Sequence, residues 1–152
     1  MAEEQQPSFQ IEKIYVKDVS LEIPGAPQVF LEAQAPQLEI QVRNESAQFA
    51  DGLFEVAVTV TVTAKAGDRT LFLAEVAQAG IFSVRGVPQA DIGPLLAVAC
   101  PTILYPYARE AVSDLVTRGG FPPVLLAPVS FEALYAQRMQ QQAAGPRIEL
   151  AS

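Results

Sequence analysis

Residues 53–77, LFEVAVTVTVTAKAGDRTLFLAEVA, decide how the rest of the chain is read. Phe54, Val56, Val58, Val60 and Val62 alternate with Glu55, Ala57, Thr59, Thr61 and Thr63. A period of two, carried by β-branched side chains, is the pattern of a strand over Leu53–Thr63. Lys65-Ala66-Gly67-Asp68 then supplies a hairpin turn, with a glycine available for a positive φ. Thr70 to Ala77 returns as the partner strand, and Gly80-Ile81-Phe82 extends or bends it. Along the return, Leu71, Leu73 and Ala77 share a face with Glu75, while Phe72, Ala74 and Val76 make the other. Both faces are partly apolar. One can pack on helices, and the second implies another sheet or another subunit.

Toward the N-terminus, residues 1–8 read as a flexible lead and Phe9–Ile23 as a long extended run. Its phase slips near Glu12-Lys13 and again before Val19, as a strand does at a bulge. Pro24-Gly25-Ala26-Pro27 ends the run, and an irregular crossover reaches Pro36. A further strand follows, with Leu38, Ile40 and Val42 on one face and Glu39, Gln41 and Arg43 on the other. Four antiparallel strands before any helix place the chain in the α+β class, as a single domain over residues 1–152.

Toward the C-terminus, Ile92–Tyr107 (IGPLLAVACPTILYPY) carries no charge and is punctuated by Pro94, Pro101 and Pro106. It falls short of the ~20 apolar residues of a membrane span, so no integral membrane segment is expected. Asp91–Val98 suits one or two short helical turns. A helix of period 3.6 follows, its stripe formed by Ile103, Leu104, Tyr107, Ala108, Ala111, Val112, Leu115 and Val116. Pro101 fits a first helical turn, Pro106 argues for a kink or restart, and Arg118-Gly119-Gly120 reads as a stop. After the apolar connection Phe121–Pro128, Ser130 is placed to cap a last helix, with a flexible tail from about residue 144 to residue 152.

Composition excludes more than it assigns. Half of the residues are hydrophobic and only 18% are charged, so an apolar face is either hidden in an oligomer or kept for binding. A net charge of −7 with no basic cluster disfavours nucleic acid. There is no histidine, which rules out a Ser-His-Asp triad, a Cys-His pair and imidazole metal ligation. Cys100 is the single cysteine, set among apolar residues, and reads as an inert thiol. Gly119-Gly120 lacks the lysine and spacing of a phosphate loop. No catalytic group, metal or cofactor is therefore expected. The acidic N-terminus does not resemble a signal peptide, which points to the cytoplasm. Asp18 and Glu22 lie four apart on an extended run, about 13 Å at ~3.3 Å per residue, too far for a paired acid–base site. Spacing alone makes them a solvated strand face; an acidic docking patch is the functional alternative.

The segments FQIEKIYVKDVSLE at 9–22, VTVTA at 60–64, FLAEV at 72–76 and GIFSVRG at 80–86 together resemble the SecB family of bacterial protein-export chaperones. So do CPTILYPYARE at 100–110, RGGFPPVLLAPVSFEALY at 118–135 and QQQ at 140–142. The resemblance implies a homotetramer, a dimer of dimers, that holds unfolded precursor proteins without ATP and delivers them to the SecA motor. It assigns Asp18, Glu22, Leu73 and Glu75 to SecA docking, against the plainer reading of the two strand carboxylates. It puts Ala74, Val76 and Gln78 near subunit contacts. Leu38, Ile40, Val42, Leu125, Leu126, Leu134 and Tyr135 become the candidate substrate groove. The likeness departs at Gln34, where the crossover would carry an aromatic, and in the tail, which keeps Glu149 beside Arg147 in place of an acidic run. A carrier of an apolar, lipid-like small molecule is the second reading of such a groove.

Overall fold

The alternation at 53–63 becomes the middle of a strand running Leu53–Ala66 (β3) in a computed structural model that describes residues 6–143. Gly67, at φ 62°, makes the turn into a second long strand, Arg69–Arg85 (β4). The remaining strands are Ser8–Glu22 (β1) and Gln37–Ala50 (β2), joined by a crossover that holds one 3-10 turn at Gln28–Leu31. All pairs are antiparallel and the order is β1-β4-β3-β2, so the first and last strands pair directly. The expected phase slips are real. Register shifts fall between Ile11 and Lys13 and between Val16 and Asp18. β2 runs seven residues beyond the expected Arg43, and β4 passes Gly80 without breaking.

One face of the sheet carries the helices. Val56, Val58, Val60 and Val62 of β3, with Ala74, Val76 and Phe82 of β4, are buried in one apolar cluster with Leu104, Ala108, Val112 and Val116. These last four sit four apart on the helix Cys100–Arg118 (α2), one stripe at helical spacing. Gly80 allows the approach, because a Cβ there would lie 3.1 Å from Leu104 Cδ2 and 2.9 Å from the Phe82 ring.

Two expectations about the helices need correction. Residues 89–118 form one helical run: Gln89–Pro94 (α1), a π-turn over Leu95–Ala99, then α2, which continues through Pro106. Pro106 and Thr102 are both exposed, so the Thr102 carbonyl deprived of its N–H partner faces water, and packing on the sheet carries the helix past it. The buried stripe is also rotated: Tyr105 is inside and Tyr107 is exposed. The Tyr105 hydroxyl donates to the Ala127 carbonyl at 2.6 Å and its ring meets Phe131 edge-on, which fastens the connection after α2.

Gly119 and Gly120 end α2 as expected, their N–H groups donating to Leu115 and Thr117. Ser130 Oγ accepts from the Ala133 N–H at 3.1 Å and caps the last helix, Phe131–Ala143 (α3). Ser8, assigned to the lead, already belongs to β1. The tail from residue 144, with Arg147 and Glu149, and residues 1–5 of the lead lie outside the described residues. Among the described residues no helix is long and apolar enough to cross a membrane.

Candidate functional site

The bulge at Val16/Asp18 sets the face on which the acids of β1 emerge. Beyond it, Asp18 lies opposite Ala77, Ser20 opposite Glu75, and Glu22 opposite Leu73. Directly opposed residues share a face. Ala74 and Val76, which alternate with these positions, point into the helix-side core. Asp18, Glu22, Leu73 and Glu75 are therefore neighbours on the outer face of the sheet, although some fifty residues separate the two acids of β1 from Glu75. Asp18 and Glu22 are exposed, and none of the ion pairs among the described residues uses them or Glu75. Glu75 accepts instead from Thr61 Oγ1 of β3 at 2.8 Å.

Farther along the same face, Glu55 behaves differently. It pairs with Lys17 Nζ at 2.6 Å and accepts from the Tyr15 hydroxyl. Those two donors, Lys17 first, hold its carboxyl below the usual carboxylate range. Burial foremost, then the bond to Glu55, pushes the Tyr15 phenol up to about 12. A small cleft of about 210 Å³ opens beside them, walled by Ala47, Phe49 and Ile81.

The helix side is apolar and partly uncovered. Register places Leu38, Ile40 and Val42 opposite Ala64, Val62 and Val60, so these β2 residues extend the core plane outward. Val62 and Val60 are fully buried, whereas Leu38 is 42% and Ile40 44% exposed. Five of the seven groove candidates divide among three clefts, and Leu38 and Ile40 line none of these. Val42 and Leu134 line one with Arg138, between β2 and α3. Tyr135 lines a second, about 410 Å³, with Pro94, Leu95 and Val98 of the helical run. Leu125 and Leu126 border a third, against the polar side of α2. Leu125 is 87% exposed and Leu126 only 7%, so the first is free for contact and the second belongs to the core. Asn44 ties these walls together. Its amide donates to the Ala97 carbonyl at 3.3 Å, an acceptor that Pro101 has no N–H to serve, and its oxygen accepts from Arg138 at 3.4 Å.

Ala74, Val76 and Gln78 are 1%, 0% and 3% exposed within the single chain. They underlie the helices, and Gln78 donates to the Tyr15 carbonyl at 3.1 Å. Cys100 is buried, and loss of water pushes its thiol up to about 12. That is no nucleophile at neutral pH.

The family model described as preprotein translocase subunit SecB matches residues 2–142. This chain belongs to the SecB family. Its relatives include the protein-export protein SecB of Methylobacillus flagellatus, 63% identical over 93% of this chain and 90% of that protein. The protein of the same name from Chromobacterium violaceum is 61% identical over 94% of this chain and 97% of that one. Among solved structures, a Mycobacterium tuberculosis SecB-like chaperone, Rv1957, in complex with a ChAD peptide from the HigA1 antitoxin, has the same fold. It aligns at a TM-score of 0.67 and 21% identity, covering 80% of this chain and 91% of that one. Family membership makes this a SecB-type protein-export chaperone and not an enzyme.

Several features of this SecB-family chain have no pattern in the sequence to announce them. Phe30 and Leu31 are 49% and 85% exposed in the middle of the crossover, with Phe30 against Phe121 at 5.3 Å between centroids and Phe121 against Phe72 at 4.8 Å. A four-residue turn is too short for a period, and only its three apolar residues between prolines could have drawn attention. The crossover thus carries an exposed aromatic at position 30, four residues before Gln34.

Proposed function

We propose that this protein is an ATP-independent holdase that keeps secretory precursors unfolded in the cytoplasm and hands them to SecA, working as a homotetramer arranged as a dimer of dimers. The observation that carries the proposal is the separation of two surfaces onto opposite faces of one sheet. The acidic patch of Asp18, Glu22 and Glu75 with Leu73 looks outward. The exposed Leu38, Ile40, Leu125 and Leu134 belong to the side of the helices. A client can then occupy one side while a motor protein occupies the other. Apolar contact is worth about 25 cal/mol per Å² removed from water and is indifferent to order, which suits clients that share unfolded chain and little else. Several such surfaces in one tetramer add avidity. In this reading Ala74, Val76 and Gln78 support subunit contacts from beneath, by setting how the helices above them lie.

The test uses a reduced, unfolded secretory precursor and no nucleotide. The purified protein keeps it soluble; failure to do so removes the holdase reading. Glu75→Lys weakens SecA association and leaves client binding intact. Equal loss of both would mean a misfolded variant or a docking surface somewhere else.

A further inference from the structure

The acidic patch has one internal feature that its charges do not explain. Glu75 lies between Ser20 of β1 and Thr61 of β3 in the register. Asp18 and Glu22 flank Ser20, so both are diagonal neighbours of Glu75, at the ~7–8 Å typical of that relation. Three like charges at such spacing repel one another. The Glu75 carboxylate turns the other way: its Oε2 accepts from Thr61 Oγ1 at 2.8 Å. Both residues are half-buried, in the middle of paired strands, where neither backbone can shift to follow a side chain. Two other outer-face acids are differently engaged, Glu55 by Lys17 and Tyr15 and Glu12 by Ser83 at 2.9 Å.

We propose that Thr61 is a positioning residue of the docking surface: its hydroxyl draws the Glu75 carboxylate toward β3, away from Asp18 and Glu22, and presents the three acids as a spread array to a basic partner surface. This rests on the docking reading given above. A fixed carboxylate loses less side-chain freedom when a partner's arginine or lysine engages it. A charge that must first be pulled away from its neighbours forms a weaker contact. The hydroxyl changes no net charge, so its effect falls on contact after encounter and not on long-range attraction.

The experiment measures association and dissociation rates of SecA with the full chain carrying Thr61→Val, Thr61→Ser or Glu75→Lys, beside precursor binding. Valine keeps the shape and strand preference of threonine and removes the hydroxyl. The expected result is dissociation about 3–10-fold faster for Thr61→Val, the range of one ordinary hydrogen bond, with association and its salt dependence unchanged. Thr61→Ser restores the slow rate and precursor binding stays constant. If Glu75→Lys weakens SecA binding and Thr61→Val leaves dissociation unchanged, the positioning role is overturned while the docking surface stands. If neither variant alters SecA binding, the docking reading itself falls. Loss of precursor binding in Thr61→Val, or no rescue by serine, would make Thr61 a packing residue and overturn the proposal.

Discussion

Glu55 is where residue-level chemistry is most exposed to test. Its carboxyl is held low by Lys17 and then Tyr15. A carboxyl depressed in the folded state adds stability that is present above its unfolded value and is lost as pH falls through the folded one. Glu55→Gln therefore lowers the melting temperature at pH 7, and the difference from the parent vanishes in acid below the ordinary carboxylate range. Partly exposed pairs contribute ~0–1 kcal/mol, so the drop is about 1–3 °C, read by thermal unfolding across pH. In the same variant an ultraviolet titration finds the Tyr15 phenol shifted down from about 12 yet still raised, because burial is the first cause of its shift. Cys100 gives a parallel test. Its buried thiol, pushed up to about 12, resists alkylation at pH 8 in the native protein and reacts once denaturant opens the core.

Among the elements, α2 separates packing from pattern. Leu104 is fully buried against Gly80 and Phe82, and Leu104→Ala costs about 2–5 kcal/mol in chemical denaturation. Tyr107, on the predicted stripe but exposed in the chain, costs within about 0.5 kcal/mol as alanine if nothing covers it. A larger loss that grows with protein concentration would show that another copy does. For α3, Ser130→Ala removes the cap on the Ala133 N–H and costs about 1 kcal/mol, seen as faster amide exchange over the first turn. Only Phe131 of that helix is buried, so its fraying does not unfold the sheet.

For the whole molecule, the expectation is assembly. Leu38, Ile40, Leu125 and Leu134 on the helix side, with Ile11, Val16 and Val19 on the edge strand β1, leave more apolar surface than one chain covers. Native mass measurement is expected to give four times the 16.3 kDa chain, and a monomer at micromolar concentration would remove the tetramer from the proposal. On the proposed docking reading, association with SecA is expected to weaken as salt is raised, since the outer acidic patch would contribute to the attraction, while binding of apolar client segments is expected not to.

Much of this protein was legible in its residues because the information is local. Alternation set the faces of each strand, each break of phase in β1 marked a bulge, Gly67 and Gly119-Gly120 punctuated the elements, and Ser130 announced its cap. Such signals act over a few residues, through backbone geometry and side-chain period. The strand order β1-β4-β3-β2 has no local signature, and it alone brings Glu75 beside Asp18 and Glu22. Helix continuity through Pro106 and the inward turn of Tyr105 were likewise decided by packing against β3 and β4, where burial of a whole stripe outweighs one missing hydrogen bond. The residues determined which faces exist; the tertiary pairing decided which of them meet.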